Sequence, residues 1–164
     1  MNLAVIIDCI SNAVGNVSTP FISGATDAQK AELQELLKDE FKEYLNAEKS
    51  EIEYRLYIDF YGNRDRCDVY VEMAEYQIIV EIDATRADQL AKKMLSRYYY
   101  AHTKSRSKPT VYVCLLYPGT DSMNPNECIK YMAMGKEILL AINPANRFIG
   151  GFITGKSVEW KNIG

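Results

Sequence analysis

The chain has 164 residues and a formal net charge of −3, with 48% hydrophobic and 25% charged residues. This length fits a single domain, residues 1–164, with a sizeable core, and the composition excludes a disordered, fibrous or membrane-spanning chain. The four cysteines are scattered without the paired spacing of a zinc site, which predicts free thiols in a reducing cytoplasm.

The N-terminal segment from Met1 to Gly15 is apolar. It lacks a basic leader and a run of about 18 apolar residues, so we expect neither export nor a membrane span. We predict a short helix here, within an N-terminal extension of residues 1–25. This helix is expected to pack on the domain or on a second copy of the chain.

The following segment predicts a longer helix. Thr26 and Gln29 have the spacing of a capping box, and the periodic pattern runs to about Asn46. At about 100° per residue, one side of this helix is apolar and consists of Leu33, Leu36, Leu37, Phe41 and Tyr44. Glu40 falls within that apolar arc, where a carboxylate needs a buried partner such as an arginine from the sheet, or a nearby metal ion. Both explanations of Glu40 stay open.

Three strands are predicted next from alternating apolar residues. A long first strand covers Ile52 to Phe60 and is followed by a turn at Gly62-Asn63. The second and third strands cover Val69–Met73 and Tyr76–Ile82, joined by a tight turn at Ala74-Glu75. Their apolar faces match only if Val71 pairs with Ile78, because a slip of one residue would reverse the faces.

This register sets Asp68 directly opposite Glu81, with Asp83 on the same face about 7 Å further along. Facing residues of an antiparallel pair have Cβ atoms about 4.5 to 5.5 Å apart, so two acids there repel unless a cation lies between them. Mg²⁺ or Mn²⁺ is the natural partner of such oxygens. The alternative is an exposed strand end whose acids keep the sheet edge soluble.

A helix beginning near Thr85 should pack on the sheet, and its flank carries Arg86, Gln89, Lys93 and Arg97. Thr110–Tyr117 is an almost unbroken apolar strand, which predicts a buried strand parallel to the third and therefore a mixed sheet. Asn124, Pro125 and Glu127 start a further helix that ends before Asn143-Pro144. A last strand, Arg147–Thr154, is expected to be broken at Gly150-Gly151, and the C-terminus to be loose.

A basic region lies between Asp88 and Asp121, where no acidic residue occurs. Its charged residues are Lys92, Lys93, Arg97, Lys104, Arg106 and Lys108, with His102 and three consecutive tyrosines, Tyr98 to Tyr100, among them. Basic side chains interleaved with aromatic ones can hold phosphates and stack on bases. A solvated helix end followed by a flexible charged loop at Lys104–Lys108 is the alternative.

The order of elements and the placement of the acids resemble the PD-(D/E)XK nuclease superfamily over residues 26–117. In that family an Asp at the start of the second core strand and the Glu of a Glu-X-Lys tripeptide on the third strand bind a metal ion. A Glu of the first helix often assists, and some branches carry a Gln on the next helix. The matching positions here are Asp68, Glu81, Glu40 and Gln89.

The resemblance implies a restriction-endonuclease-like α/β fold, with a mixed central sheet flanked by helices in the order α-β-β-β-α-β-α-β. Residues 26–117 would form the core, and residues 118–164 would add a helix and a strand. Asp83 stands where the family has its lysine, which orients the attacking water and stabilises the transition state. Some members carry an acid there and still cut DNA, and others place the lysine on the following helix, where Lys93 or Arg86 would serve.

The function implied is that of a hydrolase, a nuclease that cleaves phosphodiester bonds. Asp68, Glu81 and the backbone carbonyl of Ile82 would hold Mg²⁺ or Mn²⁺, and Glu40 would hold a metal-bound water. Nucleic acid, with DNA favoured over RNA, would be bound by Lys92, Arg97, Lys104, Arg106 and Lys108. The alternative is an inactive module of the same fold that binds nucleic acid or a partner protein, as a homodimer formed through Met1 to Ile22.

Overall fold

The computed structural model of the chain describes residues 1–60, 63–103, 107–120 and 124–164. Within these ranges the chain forms helices α1 to α4 and strands β1 to β6. In chain order they are α1 (Leu3–Gly15), α2 (Asp27–Tyr44), β1 (Lys49–Phe60), β2 (Asn63–Glu72), β3 (Gln77–Ala84), α3 (Ala87–Thr103), β4 (Thr110–Tyr117), α4 (Pro125–Ile142), β5 (Arg147–Thr154) and β6 (Ser157–Ile163).

The six described strands form one sheet in which sequence neighbours are spatial neighbours. Strands β1, β2 and β3 pair antiparallel, β3, β4 and β5 pair parallel, and β6 returns antiparallel to β5. The predicted mixed sheet flanked by helices is therefore confirmed. Two details differ: the expected loose C-terminus contains β6, and β5 is continuous, with a register shift against β6 between Gly150 and Gly151.

Local sequence signals account for where the helices begin. The capping box of α2 is complete, because the Thr26 hydroxyl accepts from the Gln29 amide and the Gln29 side chain accepts from the Thr26 amide. The Asn124 side chain caps α4, and Pro125 occupies its first turn. No helix in the described ranges has the length and apolar character needed to cross a membrane.

The sheet is covered on both faces. Helices α1 and α2 pack on one face around residues such as Ile10, Phe41 and Val80, and α3 and α4 pack on the other around Tyr112 and Phe148. Packing of α1 on the domain was one of the two predicted arrangements. One side of α1 is buried within the domain through Ile6, Cys9, Ile10, Ala13 and Val14. All four cysteines are buried and free.

The register between β2 and β3 positions the site. Val71 pairs with Ile78 as predicted, and the described ladder runs from Glu72–Gln77 to Val69–Val80. Just beyond its last pair, the amide of Ile82 donates to Asp68 Oδ2 at 2.7 Å. Asp68 and Glu81 therefore lie beside each other at the end of this ladder, although not as one of its described pairs.

Candidate active site

A group of buried and half-buried charged side chains lies where the β2–β3 ladder ends. Its acids are Asp65, Asp68, Glu81 and Asp83, and its bases are Lys30, Lys93 and Arg97; we call these seven residues the ionic cluster. The acids come from β2 and β3, whereas Lys30 comes from α2 and the other two bases from α3. Asp68, Glu81 and Arg97 are only 5%, 2% and 5% exposed, so their charges require partners within the protein.

Both carboxylate oxygens of Asp68 have donors. Oδ1 accepts from the Gln34 amide nitrogen at 2.9 Å and lies 3.2 Å from Lys30 Nζ, while Oδ2 accepts from the backbone amide of Ile82. Lys30 and Gln34 stand four residues apart on α2 and so share one face of the helix. This face therefore holds Asp68 in a single orientation at the end of the β2–β3 ladder.

Glu81 points from β3 towards α3. Arg97 Nε donates to Glu81 Oε1, and Lys93 Nζ lies 3.6 Å from Oε2. Burial raises the pKa of Glu81 to about 8, against the opposing effect of the Arg97 guanidinium. Arg97 is itself fixed, because it also binds the Asp65 carboxylate and donates to the Arg66 carbonyl at 2.6 Å.

Asp83 is paired with the same lysine. Lys93 Nζ donates to Asp83 Oδ1 at 2.6 Å, so a single ammonium links Asp83 and Glu81. Burial raises the pKa of Asp83, and Lys93 opposes that shift. Burial also disfavours the charged lysine, but the charges of Glu81 and Asp83 outweigh it and raise the pKa of Lys93.

The structure brings Asp68, Glu81, Asp83 and Lys93 together, as the sequence predicted. Gln89 lies half-buried one turn before Lys93 on the same side of α3. Arg86 is outside the cluster, since it is exposed at the start of α3 and binds Asp88 at 3.0 Å.

Glu40 is not brought to the cluster. It follows Gln34 by six residues, a rotation of about 240° around α2, and faces α1. There the Asn12 side chain hydrogen-bonds it and burial raises its pKa. Its Oε2 atom is buried without a hydrogen-bond partner among the described residues. The place expected for Glu40 beside Asp68 is taken by Gln34 and Lys30.

The residues predicted to bind nucleic acid are separated in the structure. Lys92 is exposed on α3, whereas Arg97 is buried in the ionic cluster. Lys108 binds the Met73 carbonyl at 2.9 Å, near the opposite end of β3 from Asp83. Lys104 and Arg106 lie outside the described residues. The basic stretch therefore does not form one continuous surface within the described part of the chain.

Sequence reasoning missed Gln34, Lys30 and Asp65. Two signals were available for α2: Gln34 lies in projection beside Phe41 and Leu37, and Lys30 precedes it by four residues. Asp65 had no comparable signal, because its role depends on Arg97 reaching across from α3.

The donor set is suited to a hard divalent cation in its chemistry, since Asp68, Glu81 and Asp83 offer carboxylate oxygens. In their present arrangement, no group of three or more His, Cys, Asp or Glu side chains in the described ranges is positioned to hold a metal ion. Lys93 and Arg97 instead supply positive charge to Glu81. A metal ion would share these carboxylates with the two basic side chains.

No protein-family model and no curated protein matches the sequence. A similar solved structure is described as that of Pyrococcus furiosus SfsA in complex with Ca²⁺, with 15% sequence identity and a TM-score of 0.40. The match covers 80% of this chain and 62% of that chain, so this chain spans less than two thirds of the SfsA chain. So distant a similarity assigns neither an activity nor a ligand. The mixed α/β sheet is compatible with a nuclease-like fold.

Proposed function

We propose that the chain is a metal-dependent nuclease that hydrolyses phosphodiester bonds in nucleic acid, with the ionic cluster as its active site. The observation that supports this best is the combination of Asp68 and Glu81 at the end of the β2–β3 ladder with Lys93 within reach of Glu81 and Asp83. Two strand acids and a nearby lysine are the groups that phosphodiester hydrolysis of this class needs.

Asp68, Glu81 and the backbone carbonyl of Ile82 would hold Mg²⁺ or Mn²⁺. When bound, the ion lowers the pKa of a water and neutralises charge on the phosphate. The protein groups have separate tasks. Gln34 and the Ile82 amide orient Asp68, and Arg97 holds Glu81 from the α3 side.

Lys93 takes the place of the lysine that PD-(D/E)XK nucleases carry on their third core strand. Its ammonium is held by Asp83 at 2.6 Å, so Asp83 serves as an anchor for a lysine supplied by α3. From there the ammonium donates to a non-bridging phosphate oxygen and stabilises the charge that develops in the transition state. Arg86 is poorly suited to that role, because it is exposed and already binds Asp88.

A second candidate, an inactive module that binds nucleic acid or protein, is favoured by one observation. The carboxylates of Asp68, Glu81 and Asp83 already contact lysine, arginine, glutamine or backbone donors. A network satisfied in this way can stabilise the fold without a metal ion. The two candidates differ in whether the cluster binds Mn²⁺, because a module that only binds has no need of metal affinity.

The test is cleavage of end-labelled single-stranded and double-stranded DNA and of RNA, with and without Mg²⁺ or Mn²⁺. Asp68→Asn and Glu81→Gln should each lower the metal-dependent rate by about 100-fold or more, with DNA cut better than RNA. Glu127→Gln is the matched control, since this exposed acid pairs only with Lys130 in the described contacts.

Full activity in either cluster variant would rule out this site. If the wild-type protein cleaves none of the substrates and calorimetry detects no Mn²⁺ binding, the inactive module is the correct assignment. Saturable Mn²⁺ binding that disappears in Glu81→Gln supports the nuclease.

A further inference from the structure

Strands β1 and β2 are both irregular at the same place, beside Asp68. The cross-strand pairs on either side of this place keep one register and are Ile52–Val69 and Tyr54–Cys67. Glu53 and Asp68 lie opposite each other between these pairs, although not as a described pair themselves. Cys67 packs on the α3–α4 side of the sheet and Val69 on the α1–α2 side, whereas residues two apart share a face in a regular strand. Strand β2 therefore turns over at Asp68.

The irregularity in β1 is a left-handed backbone at Glu53, whose φ is 46°. Glycine adopts this region without steric cost, and strand irregularities that need it favour glycine. Asn46 is the other non-glycine residue of the described ranges with a positive φ, at 53°. It follows the C-cap of α2, where a left-handed residue ends the helix and asparagine is tolerated. Glu53 lies in the interior of β1, so a different interaction has to maintain its strained conformation.

The side chain of Glu53 supplies that interaction. Its Oε1 atom accepts from Gln34 Nε2 at 2.8 Å, and the same nitrogen donates to Asp68 Oδ1 at 2.9 Å. Gln34 is only 4% exposed, so its amide depends on partners within the protein. Ionised carboxylates only accept, so Glu53 and Asp68 together require the amide nitrogen of Gln34, and not its oxygen, to face them. Glu53 thus fixes the orientation in which Gln34 holds Asp68.

We propose that Glu53 is a positioning residue for the ionic cluster. Its carboxylate fixes Gln34, and Gln34 keeps Asp68 in the orientation in which Asp68 holds the metal ion. This inference rests on the nuclease function proposed above. Residues that orient a metal ligand from behind typically change metal affinity or activity by about 10- to 100-fold when they are removed.

The experiment compares Glu53→Gly with Asn46→Gly. Both variants place glycine at a positive φ and relieve backbone strain, but only Glu53→Gly removes the carboxylate that binds Gln34. Glu53→Gly should lower both the Mn²⁺-dependent cleavage rate and the Mn²⁺ affinity measured by calorimetry by about tenfold or more. Its urea midpoint should equal or exceed that of the wild type, because the relieved strain offsets the greater freedom of glycine in the unfolded chain. Asn46→Gly should match the wild type in cleavage and Mn²⁺ affinity.

Glu53→Gln tests the contact itself, because a glutamine amide oxygen can still accept from Gln34. This variant should cleave within a few-fold of the wild-type rate. Exchange of the Gln34 side-chain amide protons with solvent, followed by NMR in EDTA, gives a readout that needs neither metal nor substrate. This exchange should be about tenfold faster in Glu53→Gly and unchanged in Asn46→Gly.

A Glu53→Gly protein with wild-type cleavage, Mn²⁺ affinity and Gln34 exchange would overturn the proposal. So would a Glu53→Gly protein that is clearly less stable than the wild type, because Glu53 would then stabilise the fold. An equal loss of activity in Asn46→Gly, or a loss in Glu53→Gln as large as in Glu53→Gly, would also contradict it. If the wild-type protein neither cleaves nucleic acid nor binds Mn²⁺, the proposed function fails, whereas the exchange of the Gln34 amide protons still decides whether Glu53 fixes Gln34.

Discussion

Lys93 lies between the buried Glu81 and the half-buried Asp83, with its ammonium 2.6 Å from Asp83 and 3.6 Å from Glu81. If it stabilises the transition state, Lys93→Ala should lower the metal-dependent cleavage rate by about 100-fold or more. Arg86→Ala removes a cation just before the same helix that is exposed and paired with Asp88, so its rate should stay within a few-fold of wild type. Single-turnover rates of both variants measure the difference. Equal losses of rate in the two variants would contradict the assignment of Lys93, rather than Arg86, as the replacement for the lysine of the nuclease motif.

Individual acids could be predicted from the sequence where a strand pattern fixed their position. Alternation in β2 and β3 determines which residues share a face, and this pattern alone predicts that Asp68 lies near Glu81. The same approach misassigned Glu40 because α2 buries side chains against both α1 and the sheet. A wide apolar arc identifies the buried side of a helix, but it does not identify the neighbour that each residue meets.

At the level of elements, Arg97 connects α3 to β2 and β3 through Asp65, Glu81 and the Arg66 carbonyl. Arg97→Met should therefore lower the free energy of unfolding by about 3 kcal/mol at neutral pH, because it leaves Glu81, Asp65 and the Arg66 carbonyl without their donor. Lys92→Met, an exposed neighbour on the same helix, should change it by less than about 0.5 kcal/mol. Urea denaturation measures both. A stable Arg97→Met protein with weakened nucleic-acid binding would instead support the surface role predicted for Arg97 from the sequence.

Elements were predictable in proportion to their burial. The fully buried strand β4 and the capped helices α2 and α4 carry strong sequence signals. Strand β6 was missed because it lies at the edge of the sheet and contains Glu159, Lys161 and Asn162. Its weak signal is the alternation of Val158 and Trp160, which pack against the α1–α2 core.

For the whole molecule, the parallel pairing of β3, β4 and β5 follows from the helical crossovers between these strands, since a strand reached through a helix returns in the same direction. The coverage of both faces follows as well, because a sheet with buried parallel strands needs helices on each side. The contents of the ionic cluster could not be predicted in this way. Its bases come from α2 and α3, on opposite faces of the sheet, and only the folded chain brings them to the same strand ends.

The stability of the metal-free protein should depend on pH in a direction set by the buried acids. Burial raises the pKa of Glu81 from 4.5 to about 8 and raises those of Asp83 and Glu40. Between pH 4.5 and pH 8 the folded protein keeps a proton on Glu81 that the unfolded chain has released. The stabilisation that this proton gives is complete below about pH 4.5 and is lost as the pH rises towards 8. The free energy of unfolding in EDTA should therefore fall by roughly 2 to 5 kcal/mol between pH 5 and pH 8.

Urea denaturation across that range checks the slope. Glu81→Gln should remove most of the fall, because glutamine is neutral in both states, and the remainder should come from Asp83 and Glu40. Glu127→Gln should keep the wild-type slope, since Glu127 is exposed on α4. A profile that is flat or that rises with pH in the wild-type protein would mean that Arg97 and Lys93 keep Glu81 ionised in the fold. In that case, replacing Arg97 with methionine should make the downward slope appear.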